Sequence, residues 1–260
     1  MAVFSKKNAA EKAFTLFCTP RKGKVLPVQQ EFLKAAEHEI VTFGGMKLQT
    51  YLWNGSKETV LLMHGWESNS FRWRNLIRHL RNEGFNIVAF DAPAHGKSGG
   101  AILNVPLYAE CTDHMIKKFK PNYIVAHSVG GMTAVYHQYQ YNSNKVEKLV
   151  SIGAPSELPE IMAHYKNMLK LSDRVMAALD QYFHNHFGFG IQDFSTSVFA
   201  SQLTIAGLLI HDELDKVAPV SSSEKVHANW PNSRIIKTKG LGHSLHQEEV
   251  NHQIVNFLKS

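Results

Sequence analysis

One short stretch sets the architecture of this chain, and it reads Ile124-Val125-Ala126-His127-Ser128-Val129-Gly130-Gly131. An apolar run typical of a buried strand leads directly into the pattern small–x–Ser–x–Gly, and a segment with helical spacing follows. A turn this tight leaves room only for small residues beside the serine. It also makes the Ser128 Oγ project from the edge of the sheet. The pattern predicts a strand, a sharp turn and a helix, with Ser128 as a candidate nucleophile. The alternative is an ordinary tight turn whose serine has no chemical role.

Apolar runs like the one before Ser128 recur along the chain. Those predicted as strands buried on both faces are Thr59–Met63, Asn86–Phe90, Tyr123–Ala126, Val146–Ile152, Ala206–His211 and Arg234–Thr238. The segments predicted as helices are Ala9–Cys18, Gln29–Glu37, Phe71–Asn82, Leu107–Phe119, Gly131–Tyr141 and Pro219–Asn229. A hairpin is predicted from Glu39–Phe43 and Lys47–Trp53 around Gly44-Gly45. Alternating buried strands and helices imply right-handed crossovers. We therefore expect an α/β fold with a mostly parallel central sheet and helices on both faces.

Composition divides the chain into three parts. Residues 1–38 form a basic leader with two short predicted helices. Residues 39–155 and 201–260 carry the alternating strands and helices, and we expect them to form one core. Residues 156–200 interrupt this alternation with seven aromatic residues and a net charge of −2. We expect an inserted helical cap there, over one end of the sheet; the alternative is a pair of ordinary packing helices.

Composition also limits the classes of partner. The net charge is +6, and much of it lies in residues 1–24 and in the cluster Arg72, Arg74, Arg78 and Arg81, neither of which belongs to a nucleic-acid motif. No apolar run approaches the roughly 20 residues of a membrane-spanning helix, and we expect no secretory signal. Two cysteines cannot form a disulfide framework, and one isolated histidine pair does not make a metal site. We expect a cytoplasmic protein that binds no nucleic acid, membrane or metal.

Four further segments carry motifs that accompany a serine turn of this kind. They are Leu62-Met63-His64-Gly65-Trp66, Asp91–Ser98, His211–Pro219 and Gly240-Leu241-Gly242-His243-Ser244. Together with the turn at Ser128, they resemble the α/β-hydrolase family in type and in chain order, over about Glu39–Ser260. The chain departs from the family pattern at three positions where that pattern has glycine. They are Ala94, Ala126 and Asp212. The resemblance implies the α/β-hydrolase fold.

The resemblance also implies a role for each motif. Ser128 would be the nucleophile, and His243 the base that takes its proton and later protonates the leaving group. Asp215 would hold the tautomer of the His243 imidazole and stabilise the imidazolium. The backbone N–H groups of Trp66 and Val129 would form the oxyanion hole, where loss of one donor costs about 3 kcal/mol of transition-state stabilisation.

The acid position has competing candidates. Asp212 and Glu213 lie close to Asp215 in the sequence, and the spacing to Pro219 favours Asp215. Glu157 follows the preceding strand, where some members of the family carry their acid, and is a weaker alternative.

Other polar residues beside the motifs receive supporting roles. We expect His64 to brace the oxyanion loop and His95 the neighbouring turn, both by hydrogen bonding. The His127 ring is expected to point away from the attacked carbonyl group. Arg72 follows the oxyanion loop and could reach the pocket mouth, where it would meet a carboxylate or phosphate of the substrate.

Residue types, rather than motifs, suggest the substrate class. A serine at position 128 argues against haloalkane dehalogenase and epoxide hydrolase chemistry, which uses an aspartate there. Met162, Tyr165, Phe183 and Phe187 of the cap suggest an apolar pocket for an acyl or alcohol group. We therefore expect a hydrolase of small-molecule carboxylic esters that needs no metal or organic cofactor. A thioesterase, a carbon–carbon bond hydrolase and a non-catalytic ligand-binding protein are the alternatives, and both a monomer and a homodimer are open.

Overall fold

The computed structural model describes residues 6–143 and 145–260, and an eight-stranded sheet forms its centre. The strands are β1 (Glu37–Phe43), β2 (Met46–Trp53), β3 (Thr59–Met63), β4 (Asn86–Phe90), β5 (Tyr123–His127), β6 (Lys148–Ile152), β7 (Ala206–Asp212) and β8 (Ser233–Thr238). Two of them, β3 and β4, have the predicted bounds. The others differ from the prediction by one or two residues at an end.

The sheet is mostly parallel, as predicted. Its strand order is β1-β2-β4-β3-β5-β6-β7-β8. The predicted hairpin is present: Phe43 lies opposite Met46, and both residues of the turn, Gly44 and Gly45, have the positive φ that a two-residue hairpin turn requires. The strand β2 also runs antiparallel to β4, and the remaining neighbours are parallel. All five residues of β5 are buried, which explains its continuous apolar run.

Helices cover both faces of the sheet. In the described chain they are α1 (Lys6–Cys18), α2 (Pro27–Lys34), α3 (Arg74–Asn82), α4 (Val105–Phe119), α5 (Val129–Tyr141), α6 (Leu158–Leu169), α7 (Asp173–Phe187), α8 (Thr196–Phe199), α9 (Val220–Asn229) and α10 (Glu248–Lys259). Leu76 of α3 and Ile254 of α10 belong to the core on one face. Met115 of α4, Val135 of α5 and Val226 of α9 belong to the core on the other. Within residues 6–143 and 145–260, no helix combines the length and the apolar character needed to cross a bilayer.

Two of the predicted helices are wrong in extent. The segment Gln29–Glu37 is helical only as far as Lys34, because Glu37 already pairs with Leu52 in the sheet. The boundary drawn after residue 38 therefore falls inside β1.

The segment Phe71–Asn82 does not begin as an α-helix. Its first residues lie in a 3-10 turn, Ser70–Trp73, and α3 follows. The Asp91 carboxylate holds this turn, because one of its oxygens accepts both the backbone N–H and the hydroxyl of Ser70, at 2.9 and 2.8 Å. The other oxygen accepts the Lys97 N–H at 2.9 Å, so the carboxylate ties the start of α3 to the turn after β4.

The helices between β6 and β7 form a separate small core together with α1. This core contains Leu158 of α6 and Phe183 of α7. The Phe14 ring of α1 meets the Phe183 ring edge-on with centroids 5.7 Å apart. The Tyr165 hydroxyl of α6 donates to the Ala13 carbonyl at 2.8 Å. The first helix of the leader therefore packs on the inserted helices.

Both cysteines are buried and unpaired. Cys18 ends α1 and Cys111 lies in α4. Burial raises the pKa of each thiol to about 12, so neither is a reactive thiolate near neutral pH.

Candidate active site

Ser128 sits in a strained turn between β5 and α5. Its backbone has φ 54° and ψ −125°, a conformation that costs a non-glycine residue about 1–3 kcal/mol. The Ser128 N–H donates to the Ile152 carbonyl of β6 at 2.8 Å, which holds the turn against the sheet. At Gly130 a Cβ atom would lie 2.6 Å from the His64 carbonyl oxygen, so only glycine lets α5 approach the end of β3 this closely. The turn leaves the Ser128 Oγ facing His243.

The His243 ring lies between a hydroxyl and a carboxylate. Its Nε2 is 3.0 Å from the Ser128 Oγ, and its Nδ1 is 2.7 Å from the Asp215 Oδ2. Because an ionised carboxylate only accepts hydrogen bonds, Nδ1 carries the proton and Nε2 is free to accept the Ser128 hydroxyl proton. The structure therefore brings Ser128, His243 and Asp215 together in one hydrogen-bonded chain.

The Asp215 side chain is completely enclosed, and hydrogen-bond donors contact its carboxylate. Its side chain has 0% exposure. The Oδ1 atom accepts the N–H groups of Val217 and Ala218 at 2.7 and 3.1 Å. His211 lies on the other side, where its Nε2–H donates to the Ala218 carbonyl at 2.9 Å and stands 3.3 Å from the Asp215 Oδ2. Donors therefore surround the carboxylate and fix its orientation toward His243.

The competing acids bind other groups. Asp212 accepts the Thr238 hydroxyl at 2.9 Å and the Leu241 N–H at 2.8 Å, so it anchors the loop that carries His243. Burial raises the pKa of Asp212, but these hydrogen bonds outweigh it and leave the pKa below its usual value. Glu157 accepts the Ser197 hydroxyl at 2.6 Å. Glu213 is exposed.

The loop that contains Trp66 passes directly beside the serine. A Cβ atom on Gly65 would lie 2.8 Å from the Ser128 Cβ, so glycine is required at this approach. Trp66 and Val129 both border the cavity above Ser128. Val129 is the first residue of α5, and an N–H at this position has no acceptor within its own helix. Both residues therefore lie at the edge of the cavity that contains Ser128.

Two neutral histidines brace this loop. The His64 Nε2 accepts the Ala92 N–H at 2.9 Å, so its Nδ1 carries the proton that is donated to the Gly65 carbonyl at 2.8 Å. The His95 Nε2 accepts the Glu67 N–H at 3.0 Å. Burial lowers the pKa of His64 to about 4 and also lowers the pKa of His95. Both rings stay uncharged near neutral pH and hold the loop by hydrogen bonds.

Arg72 and His127 support the histidine loop from behind. The His127 Nε2–H donates to the His243 carbonyl at 2.8 Å. The Arg72 guanidinium donates to the Ser244 carbonyl at 2.7 Å and lies 4.5 Å from the centre of the Trp73 ring. Arg72 is not among the residues that line the cavity. The expectation that it reaches the pocket mouth is therefore wrong, because its charge is directed to a backbone carbonyl.

A cavity of about 590 Å³ lies above Ser128, and its wall is mainly apolar. Tyr165, Phe183 and Phe187 border it, together with Phe189 and Phe194. Of the four cap residues proposed from the sequence to bind substrate, Met162 alone is absent from this lining. Its side chain is 1% exposed and lies in the small core that α6 and α7 share with α1. Met162 therefore supports the wall and does not form it.

The leader supplies a second part of the wall, which the sequence does not predict. Leu16, Phe17, Arg21 and Lys22 all border the cavity. The Phe17 ring packs edge-on against the Tyr165 ring, with centroids 4.9 Å apart. The only sequence signal is the apolar patch at the end of α1, and a patch this short does not reveal which surface it covers.

One group of possible metal ligands lies away from the cavity. Among the described residues, ligand atoms of His79, Glu248 and His252 lie within 4.8 Å of one another, between α3 and α10. The His79 Nε2 and a Glu248 oxygen already form a hydrogen bond of 2.6 Å. This surface ion pair accounts for the proximity of two of the three groups.

Curated relatives resemble this chain at low identity over most of its length. A non-heme haloperoxidase from Rhodococcus erythropolis is 22% identical over 258 residues, covering 79% of this chain and 94% of that protein. A bifunctional esterase/perhydrolase from Acinetobacter calcoaceticus is 23% identical over 254 residues, covering 77% and 91%. Each of these matches covers more than three quarters of this chain.

Solved structures and a family model agree with the fold described above. An esterase from Exiguobacterium antarcticum superposes with a TM-score of 0.70 at 20% identity, covering 86% of this chain and all of that one. A bromoperoxidase from Bacillus anthracis superposes equally well, also at 20% identity. The sequence model of the alpha/beta hydrolase fold matches residues 58–201, which is more than half of the chain. The family match agrees with the strand order and with the tight turn at Ser128. The chain therefore belongs to the α/β-hydrolase family.

Proposed function

We propose that this protein is a serine hydrolase that cleaves carboxylic esters with an apolar acyl group. The observation that carries the proposal is the position of the His243 ring, 3.0 Å from the Ser128 Oγ and 2.7 Å from the Asp215 Oδ2, at an apolar cavity. A serine hydroxyl is a poor nucleophile until a base accepts its proton, and this arrangement supplies that base.

The geometry supports a two-step acyl transfer. In the first step the Ser128 Oγ bonds to the ester carbonyl carbon while its proton moves to the His243 Nε2. The oxyanion formed would accept hydrogen bonds from the N–H groups of Trp66 and Val129. The carbon–oxygen bond to the leaving group then breaks, and the proton on Nε2 passes to the departing alcohol.

In the second step water replaces the alcohol. It loses a proton to the His243 Nε2 as it attacks the acyl carbon, and the proton returns to the Ser128 Oγ when the carboxylic acid leaves. Throughout, Asp215 keeps the His243 Nδ1–H oriented and stabilises the transient imidazolium. The protein's own residues therefore account for every proton in the cycle.

The cavity supports an apolar acyl group. Its volume of about 590 Å³ falls in the range of small-molecule sites, and aromatic rings such as Phe183, Phe187 and Phe189 border it. We infer that residues 156–200 act as a cap over Ser128 and that α1 of the leader completes this cap, since both contribute to the wall.

Covalent labelling tests the proposal. A fluorophosphonate probe should label the wild-type protein and fail to label Ser128→Ala, and p-nitrophenyl butyrate should be hydrolysed by the wild type and not by Ser128→Ala. Ser151→Ala is a suitable control, because Ser151 is a buried serine of the neighbouring strand β6 and does not border the cavity. Equal labelling of wild type and Ser128→Ala, or no labelling of either, would contradict the proposal and favour a non-catalytic binding protein.

A further inference from the structure

Two exposed cations from the leader border the cavity. Arg21 and Lys22 follow α1 and form part of the cavity lining, as does the exposed His164 of α6. Of the lining residues, Glu67 is the only acid. An otherwise apolar site therefore has a rim with an excess of positive charge, next to the loop that contains Trp66.

Backbone hydrogen bonds hold this cationic segment in place on both sides. The Arg21 N–H donates to the Glu67 Oε1 at 2.8 Å. The Leu103 N–H donates to the Cys18 carbonyl at 2.7 Å, and the Gly96 N–H donates to the Gly23 carbonyl at 2.9 Å. The segment is therefore tied to the loop after β3 and, at two points, to the connection between β4 and α4, and its side chains project from a backbone that these bonds hold.

The two cations have no opposite charge among the described residues. Neither Arg21 nor Lys22 forms an ion pair within 4.0 Å there, whereas Lys166, Lys225 and Lys237 each do. The Glu67 carboxylate accepts a hydrogen bond from the Arg21 backbone N–H. Burial raises the pKa of Tyr165, which also lines the cavity, and the Arg21 charge opposes this rise.

We propose that the natural substrate carries a phosphate group that Arg21 and Lys22 bind at the rim, while its apolar acyl chain lies between the aromatic rings of the cavity. This inference rests on the proposed hydrolase function and names its substrate class: an acyl ester or thioester with a phosphorylated leaving group. Phosphate suits this rim because it accepts paired hydrogen bonds from a guanidinium and attracts an ammonium group as a point charge.

The test compares phosphorylated substrates with matched compounds that lack the phosphate. One pair is octanoyl-coenzyme A and octanoyl-N-acetylcysteamine, and the other is 1-octanoylglycerol 3-phosphate and 1-octanoylglycerol. The measured quantity is the ratio of kcat/KM within each pair, because a general loss of activity cancels in the ratio. The pair with the larger ratio identifies the source of the phosphate, a soluble thioester or a lipid-like ester.

In the wild type at least one ratio should exceed unity and should fall as salt is added, because exposed charges are screened. Arg21→Gln combined with Lys22→Gln should lower that ratio about tenfold, the effect expected for two exposed charge contacts. Lys34→Gln is the matched control, since Lys34 is an exposed cation of α2 outside the cavity lining, and it should leave the ratio unchanged.

Two outcomes separate this inference from the proposed function. If the wild type hydrolyses the phosphate-free compounds and neither ratio responds to the double substitution, the phosphate site is wrong and the hydrolase assignment stands. If Ser128 is not labelled by the fluorophosphonate and none of the four compounds is hydrolysed, the hydrolase assignment itself fails.

Discussion

Asp212 ends β7 and Asp215 follows three residues later, and hydrogen bonding separates their roles. Asp215 points to His243, and its remaining oxygen is saturated by backbone N–H groups. Asp212 turns to the other side and holds Leu241, two residues before His243. One carboxylate therefore orients the imidazole ring, and the other positions the backbone from which the ring projects.

Replacing each acid by its amide should distinguish these roles. Asp215→Asn cannot hold the His243 tautomer with Nδ1 protonated, so kcat on p-nitrophenyl butyrate should fall by about 10⁴-fold with little change in KM. Asp212→Asn loses one charged acceptor, so it should lower the free energy of unfolding by about 1–3 kcal/mol and reduce kcat by less than about tenfold. Steady-state kinetics and urea unfolding of both variants test this, and a larger loss of kcat in Asp212→Asn would reverse the assignment.

At the scale of the secondary-structure elements, α1 has the least expected position. It comes first in the chain, yet it packs on α7 and borders the cavity through Leu16 and Phe17. The Phe14 ring contacts the Tyr182 and Phe183 rings at centroid distances of 4.8 and 5.7 Å. An amphipathic helix of this length is marginal in isolation, so its stability comes from this aromatic contact.

Removing one aromatic ring from α1 should change the preferred acyl length. Phe17→Ala opens space beside Tyr165, so the chain length with the highest kcat/KM should increase across p-nitrophenyl esters from acetate to dodecanoate. Val28→Ala on α2 is the control, because Val28 is 82% exposed and outside the cavity lining. An unchanged length profile in Phe17→Ala, with fluorophosphonate labelling retained, would show that α1 does not limit the acyl group.

Across the whole molecule, several histidines are buried in the neutral form. Burial lowers the pKa of His64 and of His137 to about 4, and it also lowers the pKa values of His127 and His211. Asp113 raises the pKa of His137, but burial outweighs it. These rings act as fixed donors and acceptors in the core, and each becomes a destabilising group once the solution is acidic.

Stability should therefore fall as the pH is lowered. A histidine with a folded pKa of about 4 and an unfolded pKa of about 6.5 takes up its proton first in the unfolded chain. The contribution of this neutral histidine to the free energy of unfolding is complete above pH ~6.5 and is lost as the pH falls toward about 4. For His137 alone, the free energy of unfolding should fall by on the order of 2 kcal/mol between pH 7 and about pH 5.

Urea unfolding at both pH values measures this loss in the wild type and in His137→Phe. The variant should lose less stability on acidification, by about the contribution of one buried histidine, because the phenyl ring cannot be protonated. Equal losses in both proteins would mean that His137 is not held neutral in the folded state.

Much of the fold could be predicted because its signals are local. Thr59–Met63 and Asn86–Phe90 are apolar runs whose neighbours in sequence already define their ends, and both strands have the predicted bounds. The start of α3 could not be predicted in this way. The carboxylate that holds Ser70 in a 3-10 turn belongs to Asp91, which lies 21 residues further along the chain.

The sequence by itself determined the family, the order of its motifs and the candidate serine, because the tight turn at Ser128 depends on its immediate neighbours. The tertiary structure decided which groups Asp212 and Glu157 bind, that Arg72 binds a backbone carbonyl, and that Met162 lies behind the cavity wall. It also placed α1 against α6 and α7. Those outcomes depend on contacts between residues distant in sequence. Packing and the direction of each side chain determine these contacts, and a local sequence pattern shows neither of them.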